Sequence, residues 1–410
     1  MLISTLLRTD LSSNNQEAYE SPTHAEHPSI RPVTDLKYSI LTTQNELEIL
    51  KESLLELAQN ASESNVFFEP WVLLPAFKSF LSKEDTACIV IEEVYPSPNQ
   101  RNILGFFPLS SQTRFRGMPS NHYATLSFSH CGYLTPLIKK GYENEVFSLF
   151  LRWLDETLPH SFVELSHIIG EGHLYETLLS ILHHSGRITF IAESYSRSIV
   201  SSCQKKSDFL SSLSRKKRKD ILRKERQLYE LGTVSCEQLS SMNNLDLWIN
   251  EFLALEESGW KGKEGTAIAL HKHEEHFFRT IVTEAFHRKQ LLFLRLTLEG
   301  NPIAMRCGLI SGNTLFSYKI AFDEQYAKYS PGVLLEIENI DVLSLRDDIH
   351  CMDSCAIPAH SLFERLWPEK KQLCSIVISS QSIFSRIQVK VLELAQKAFR
   401  WMKARTCSTS

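Results

Sequence analysis

The segment KYSPG, residues 328–332, contains residue types that suit a site for a phosphate group. Pro331 is favoured in the first turn of a helix, Ser330 can cap that turn, and Gly332 lets a ligand approach the backbone. The start of a helix offers unpaired backbone N–H groups and the positive end of the helix dipole, and Lys328 adds a charge. The segment therefore predicts an anion site, and an ordinary capped helix start is the alternative.

The segment EESGWKGKEGTAI, residues 256–268, combines glycines, lysines and a tryptophan between two predicted helices. It does not match a Walker A loop, because neither serine nor threonine follows its Gly-Lys pair and because it follows a helix. We interpret it as an irregular loop in which Trp260 could form an apolar wall and Lys261 and Lys263 could contact an anion. A surface loop with a packed tryptophan fits the same residues.

Residues 214–226 are strongly basic, with eight lysines and arginines against Asp220 and Glu225. A broken apolar stripe predicts a helix that lies along the body of the protein, with apolar positions at Leu210, Leu213, Ile221, Leu228 and Leu231. The basic side chains could contact phosphate groups of tRNA, of a nucleotide-linked acceptor or of an anionic membrane surface. A solvated helix face is the alternative.

The chain also ends in a predicted helix that is amphipathic and basic. Its apolar positions recur at helical spacing at Ile383, Ile387, Val391, Leu394, Ala398 and Phe399. We expect this face to pack on the core, and contact with a membrane surface is the second interpretation.

Composition limits the class of protein. The chain has 410 residues, 43% of them hydrophobic, and a net charge of -4, which is typical of a globular protein with two or three domains. Its nine cysteines and the absence of a signal peptide or a long apolar stretch favour reduced thiols and a cytoplasmic location. The motif HKHEEH predicts no metal site, because His273 and His276 are three residues apart and lack the HExxH pattern.

The predicted elements occur twice in the same order. Each half is predicted as helix, helix, strand, strand, strand, helix, strand, which gives an α/β fold with a mixed α+β sheet. In the second half the helices are predicted at 244–257 and 271–289. In the first half the third strand is predicted in ATLSFSHCGYL, residues 124–134. The crossover helix should make the third and fourth strands of each half parallel neighbours.

This order resembles the GNAT acyltransferase fold, and the second half resembles the CelD-like, FemAB-related group of double-GNAT proteins. The resemblance rests on ESGWKGKEGTAI, on YKIAFDEQYAKYSPGVLLEIENI and on FLSSLSRKKRKDILRKERQLYELG, and it is stronger after Asp208. It implies two tandem GNAT-like domains, at 37–200 and 236–380, joined by a basic linker helix at 201–235. A flexible leader at 1–36 and a helix with a tail at 381–410 complete the predicted organisation.

The resemblance also implies roles for individual residues. The turn that holds the pyrophosphate of coenzyme A in GNAT enzymes matches KYSPG, and the predicted cofactor-binding residues are Lys319, Ile320, Lys328, Tyr329, Ser330, Gly332, Val333 and Leu334. The loop with Trp260, Lys261 and Lys263 would border the acceptor pocket. Asp323 is the first candidate for the base and Asp353 the second, and Tyr318, Tyr326 or Tyr329 could protonate a thiolate. A backbone N–H between Tyr318 and Ile320 would stabilise the oxyanion.

The sequence thus predicts an N- or O-acyltransferase that uses acyl-coenzyme A, needs no metal and acts on a small-molecule or envelope-precursor acceptor. The first half lacks a Ser-Pro-Gly turn, so its expected role is to shape the acceptor groove or support the fold. An aminoacyl-tRNA donor, as in the FemAB branch, and a catalytically inactive binding protein are the alternatives. The basic segment at 214–226 would contact tRNA or an anionic membrane surface. A membrane contact would make the protein peripheral at the inner face of the membrane. The sequence does not indicate an oligomeric state.

Overall fold

The computed structural model describes residues 35–81, 85–94, 101–201, 205–356 and 361–407, with only the backbone for residue 361 and residues 403–407. The predicted flexible leader, residues 1–36, therefore lies almost wholly outside the described residues. Within them, secondary structure follows the order expected of two consecutive halves.

The first half contains five strands before its crossover helix, α4, and two after it. Its elements are β1 (Leu36–Leu41), α1 (Gln44–Ile49), α2 (Lys51–Gln59), α3 (Pro70–Ser79), β2 (Thr86–Glu93), β3 (Ile103–Phe115), β4 (Met118–Thr125), the short β5 (Leu137–Ile138), α4 (Glu143–Thr157), β6 (Phe162–Ile169), α5 (Gly172–His184) and β7 (Thr189–Val200).

The second half begins with the basic segment. Its elements are α6 (Lys206–Ser212), α7 (Arg215–Tyr229), β8 (Val234–Gln238), α8 (Leu245–Ser258), α9 (Trp260–Lys263), α10 (Lys272–His287), β9 (Leu291–Leu298), β10 (Asn301–Ser311), β11 (Thr314–Phe322), α11 (Pro331–Leu343), β12 (Cys351–Asp353), α12 (Ser361–Leu366), β13 (Glu369–Ser379) and α13 (Ile383–Cys407).

The described strands form one mixed sheet in the order β1-β2-β3-β4-β6-β13-β7-β12-β11-β10-β9-β8, with β5 beside β3. Two pairs are parallel, β4 with β6 and β11 with β12, and the other pairs are antiparallel. The prediction that the third and fourth strands of each half are parallel neighbours is confirmed, and so is the mixed α/β class.

The two halves exchange their last strands at the centre of this sheet. Strand β13, which ends the second half, pairs with β6 of the first half and with β7. Strand β7, which ends the first half, pairs with β12 of the second half through Met352↔Val200 and Asp353↔Ile199. Each half therefore completes the sheet of the other.

Strand β4 lies earlier than the sequence predicts, at Met118–Thr125 instead of 124–134. Its sequence, MPSNHYAT, is poor in typical strand residues, so the apolar stretch after it gives a misleading signal. A tight turn fixes its position, because Arg116 and Gly117 both have positive φ, 48° and 89°, as a two-residue hairpin turn requires. Strands β1 and β8, at the two sheet edges, have no counterpart in the predicted element order, and neither do the exchanged strands β7 and β13.

Two further expectations are wrong in detail. The segment after α8, expected to be an irregular loop, contains a helical turn, α9, at Trp260–Lys263. In α13, the side chains buried against the sheet are Val389 and Leu392, which pack with Val377. The predicted apolar face of this helix is exposed instead of packed, since β7 and β13 contact its opposite face.

Candidate active site

A cavity of about 1490 Å³ opens where β11 and β12 part. The two strands pair only over three residues, from Thr314↔Cys351 to Phe316↔Asp353. Beyond this point β11 continues as Ser317–Phe322, while the chain after β12 turns away at Cys355, which has a φ of 51°. Residues of both diverging segments line the cavity.

A β-bulge lies in the part of β11 that lines the cavity. Ser317 pairs with Gly308 of β10 and Lys319 pairs with Cys307, so Tyr318 is the extra residue between them. A bulge bends its strand and redirects the side chains beside it. Here Tyr318 and its neighbour Lys319 both line the cavity.

The first turn of α11 forms another wall of the cavity. Ser330 precedes it with left-handed backbone angles, φ 54° and ψ 54°. Its hydroxyl accepts a hydrogen bond from Lys224 Nζ at 3.0 Å and does not cap the helix, contrary to the expected role. The first turn contains no acidic residue, and the amide of Gly332 has no partner among the described residues. This turn is therefore suited to hold an anionic group.

Gly332 lies where a small side chain would fit and a large one would enter the cavity. A Cβ atom at this position would meet side-chain carbons of Ile320, Leu362 and Phe322 at 3.7 Å each, which is an ordinary contact. Its backbone has no positive φ. Neither the backbone conformation nor the available space therefore requires a glycine here, and a small side chain would leave the turn open.

The basic helix α7 forms the wall beside this turn. Its cavity-lining cations are Lys216, Lys217, Lys219, Arg223 and Lys224. Asp220 accepts from Arg223 at 2.6 Å and lies 3.1 Å from Lys224, and Lys217 donates to the Arg365 carbonyl at 2.8 Å. Because Asp220 is the one acidic residue of α7 that lines the cavity, this wall is positive.

A buried ion pair forms part of the cavity wall. Arg306 donates from Nε to Glu336 at 2.6 Å, from Nη1 to Asn339 at 3.0 Å and from Nη2 to Ser317 at 2.5 Å. The Arg306 and Glu336 side chains are almost fully buried. The pair ties β10, β11 and α11 together directly below the first turn of α11.

The segment after α8 supplies the remaining wall. Glu256 is buried, and its carboxylate accepts from Lys261 Nζ at 2.5 Å and from the backbone N–H of Ile268 at 2.9 Å. Trp260 is about half exposed, and the Lys261 ammonium lies 6.0 Å from its ring centre. Glu256 therefore ties the start of this segment to its end at Ile268, and it holds the ammonium group of Lys261, which lines the cavity.

Lys319 is the cavity cation with the most altered proton affinity. Burial, and next the positive charge of Lys261, lower its pKa to about 8. At this pKa a substantial fraction of the side chain is a neutral amine near physiological pH.

Tyr318 connects the cavity to the first half of the chain. Its hydroxyl lies 2.8 Å from Nδ1 of His130, and the other ring nitrogen of His130 lies 3.5 Å from Glu274. Burial lowers the pKa of His130 to about 2 and raises the pKa of Tyr318, so both side chains are uncharged near neutral pH. A residue of the first half thus positions the bulged tyrosine.

The structure brings most of the predicted site residues to one cavity. Those that line it are Trp260, Lys261, Tyr318, Lys319, Ile320, Ser330, Gly332, Val333 and Leu334. Their assigned roles in binding remain predictions.

The other predicted residues do not line the cavity. The carboxylate of Asp323 accepts from the Gln325 amide at 2.9 Å and caps the helical turn Glu324–Tyr329. Within that turn Tyr326 is partly buried, Tyr329 is buried, and the exposed Lys328 lies 4.8 Å from the Tyr329 ring centre. Lys263 pairs with Glu324 at the surface.

Asp353 is buried in a polar cluster behind the cavity. Its carboxylate lies 3.4 Å from Nη1 of Arg197 and accepts from the Cys355 amide at 2.7 Å. These contacts give Asp353 a role in joining β7 to β12. Asp353 itself does not line the cavity, whereas the next residues, Ser354 and Cys355, do.

Four residues of the site escaped the sequence reasoning: His130, Glu256, Arg306 and Glu336. Arg306 and Glu336 interrupt apolar stretches of a strand and a helix, and a charged residue at such a position signals a buried pair. His130 offers no such signal, because its contact with Tyr318 depends on how the two halves pack.

The corresponding helix start in the first half is filled by its own chain. Glu143 opens α4 and is buried, and its carboxylate accepts from the Gly141 amide at 3.0 Å and from the Ser62 hydroxyl. The cavity between α4, β6 and α5 measures only about 10 Å³. A carboxylate therefore occupies the position that an anionic ligand would need.

Residues 215–359 match the sequence model of the acetyltransferase (GNAT) domain family. This chain contains a GNAT domain. The match begins with α7 and ends after β12, so it includes most of the residues that line the cavity, the splayed strands and the first turn of α11.

Alignments with solved structures extend over most of the chain. FemX is 8% identical over 84% of this chain and 98% of its own, with a TM-score of 0.51. A conserved protein of unknown function from Bacteroides thetaiotaomicron is 10% identical over 81% and 97%, also with a TM-score of 0.51. A tandem GNAT protein from the clavulanic acid biosynthesis pathway is 11% identical over 84% and 98%, with a TM-score of 0.41.

No curated protein sequence matches this chain significantly. Among the described residues, no helix has both the length and the apolar character needed to cross a bilayer. The same residues include no group of three histidine, cysteine or acidic side chains placed to hold a metal ion.

Proposed function

We propose that this GNAT-fold protein transfers an acyl group from acyl-coenzyme A, bound at the first turn of α11, to an amine or hydroxyl of a small-molecule or envelope-precursor acceptor. The observation that supports it most is the open α11 turn, which has no acidic residue and faces a cavity of about 1490 Å³. A turn closed by side chains, as at α4, would favour a protein that only binds a partner.

The residues of the turn are suited to the pyrophosphate of the donor. The Gly332 amide and the positive end of α11 would hold its oxygens, and Lys224 reaches the same turn. The widening gap between β11 and β12 would admit the pantetheine arm. Beyond Phe316, the edge of β11 that faces β12 has no strand partner. Backbone N–H groups of this part of β11 are our candidates for stabilising the oxyanion.

Lys319 is our candidate for the base, in place of Asp323 or Asp353, because it lines the cavity and has a lowered pKa. Its neutral amine would take a proton from the acceptor as the acceptor's nitrogen or oxygen bonds to the thioester carbonyl carbon. The C–S bond then breaks, and the Lys319 ammonium can return a proton to the departing thiolate. The hydroxyl of Tyr318, the predicted acid, is hydrogen-bonded to His130. We therefore assign Tyr318 the role of holding the bulge in place.

An aminoacyl-tRNA donor is the second candidate, and the positive wall of α7 favours it. The cavity-lining cations of α7 continue along one helix face, which suits a polyanion larger than a pyrophosphate. The cavity is also larger than a typical small-ligand site of about 300–1,000 Å³.

Calorimetric titration of the purified protein with acetyl-coenzyme A, a long-chain acyl-coenzyme A and a charged tRNA would test the proposal. We expect the acyl-coenzyme A donors to bind, and Gly332→Trp to abolish this binding by filling the turn. Gly332→Ala is the matched control and should bind normally, since its Cβ makes only ordinary contacts.

Binding of charged tRNA without binding of any acyl-coenzyme A would replace the first proposal with the second. Failure of every donor to bind, in a protein that unfolds cooperatively, would contradict both and indicate a non-catalytic protein.

A further inference from the structure

The last helix, α13, exposes a row of large apolar side chains. Ile383, Ile387, Val391 and Leu394 recur every three or four residues and so form one stripe, with Phe384 at its edge. These five side chains are 56–75% exposed. On the described surface no other helix shows this many exposed large apolar residues.

Folding does not need this stripe, because α13 attaches by its opposite face. Val389 and Leu392 are buried against the sheet. Gln396 donates to the Ala192 carbonyl at 2.6 Å, and Gln388 donates to the Ser120 hydroxyl at 3.1 Å. The helix therefore has two apolar faces, one used by the fold and one directed outwards.

The charges beside the stripe have one sign. The sequence of α13 contains six lysines and arginines and one acidic residue, Glu393. Arg386, Lys390 and Lys397 lie on the same edge of the stripe at helical spacing. Glu393 is mostly buried and accepts from Lys390 at 2.8 Å and from Lys397 at 2.6 Å, which leaves the edge with a net positive charge.

We propose that α13 docks on an anionic lipid surface, with its apolar stripe at the boundary of headgroups and acyl chains. An amphipathic helix with basic flanks and exposed apolar side chains lies in the plane of such a surface. At 25 residues it is about 37 Å long, so it offers a long contact parallel to the membrane. This inference is independent of the donor and of the acyl transfer.

A second copy of the chain fits this face less well. Two stripes packed against each other would bring lysine edges together, or set a lysine edge against Gln388 and Ala395 of the other edge. Neither arrangement supplies an exposed acidic side chain of α13 to balance the lysines. An anionic surface balances them directly.

Co-sedimentation of the full chain with vesicles tests the proposal. We expect binding to vesicles that contain phosphatidylglycerol, much weaker binding to pure phosphatidylcholine, and a loss of binding as salt concentration rises. The variant Val391→Gln/Leu394→Gln should lower the partition coefficient at least about tenfold, because it removes two side chains that the lipid would bury.

Ile49→Gln is the matched control, since Ile49 is 78% exposed on α1, away from α13. It should leave vesicle binding unchanged, and all variants should keep the thermal midpoint of the native protein, because Val389 and Leu392 are retained. Absence of sedimentation with the anionic vesicles would overturn the proposal. So would unchanged binding in the double variant, or a dimer in light scattering that only this variant dissociates.

Discussion

Lys319 and Arg306 are cations in the wall of the same cavity, and their surroundings differ in one respect. Arg306 is held by Glu336, Asn339 and Ser317. Lys319 forms no ion pair with a described carboxylate, so burial and the charge of Lys261 lower its pKa. Arg306 can therefore only support the site, while Lys319 can exchange a proton.

The proton chemistry of Lys319 gives a pH dependence with a defined sign. A base acts in its neutral form, and for Lys319 this form predominates above its pKa of about 8. Once an acceptor is known, kcat/KM should rise with pH and level off above about pH 8. Lys319→Gln should lower kcat by about 10²–10⁴-fold and remove the rise.

Lys328→Gln is the control for that experiment, because Lys328 is exposed and does not line the cavity. It should retain the native pH profile. A profile in Lys319→Gln that still rises through the same pH range would assign the base to another group.

Ser330 has backbone angles that a β-branched residue tolerates poorly. We expect Ser330→Val to reduce the free energy of unfolding by about 1–3 kcal/mol, because it strains the turn before α11. Ser330→Gly should not reduce it by this amount, because glycine adopts these angles without strain. Chemical denaturation of both variants checks this, and equal stabilities would show that the turn adjusts its backbone.

At the scale of single residues, sequence reasoning found the side chains that belong to a local pattern. The KYSPG turn and the strand before it supply most of the residues that line the cavity. The position of Asp323 directly after β11 favours it as the base, but its carboxylate caps the helical turn that follows. Contacts such as Tyr318–His130 join residues 188 positions apart, and no local pattern encodes them.

Among the elements, α7 determines how a donor with many phosphates would bind. Lys216 and Lys219 line the cavity, are exposed and form no ion pair with a described residue. Replacing both with glutamine should weaken tRNA binding strongly and flatten its dependence on salt, while acetyl-coenzyme A binding should change little. Filter binding at several salt concentrations measures both.

Arg226→Gln is the matched variant on the same helix. Its side chain is exposed, pairs with Glu230 and does not line the cavity, so tRNA binding should not change. An equal loss of tRNA binding in Arg226→Gln and in the lysine variant would mean that the total charge of α7 determines binding. The positions of the charges along the helix would then not matter.

Elements were predictable where apolar residues recur at helical spacing, as in α10, or form nearly continuous apolar runs, as in α11 and the meander β9–β10–β11. Strands β1 and β8 carry weaker sequence signals, because they are edge strands with several exposed positions. In α13 the periodicity was correct but the buried face was not. An amphipathic pattern shows that a face is apolar and does not show what covers it.

For the whole molecule, the exchange of β7 and β13 makes the two halves dependent on each other. A fragment that begins at residue 205 would lose β7, the partner of both β12 and β13, together with β6, the other partner of β13. We expect this fragment to lack a cooperative unfolding transition in calorimetry. Coexpression with residues 1–201 should restore it, and cooperative unfolding of the fragment alone would show that the exchanged strands are dispensable.

The same exchange of strands explains why the sequence does not predict the strand order at the centre of the sheet. The order of elements indicates two similar halves, but it does not indicate which half each final strand completes. Helical and strand periodicity are local, whereas the pairing of β13 with β6 joins residues about 200 positions apart.

The central claim is that the donor binds at the start of α11 and not at the start of α4. Amide hydrogen exchange with and without acetyl-coenzyme A tests it most directly, because exchange reports protection segment by segment. We predict that the donor slows exchange in Ser317–Phe322 and around Gly332, and leaves residues 139–147 unchanged. Protection around residues 139–147, or no protection in either segment at saturating donor, would contradict the account.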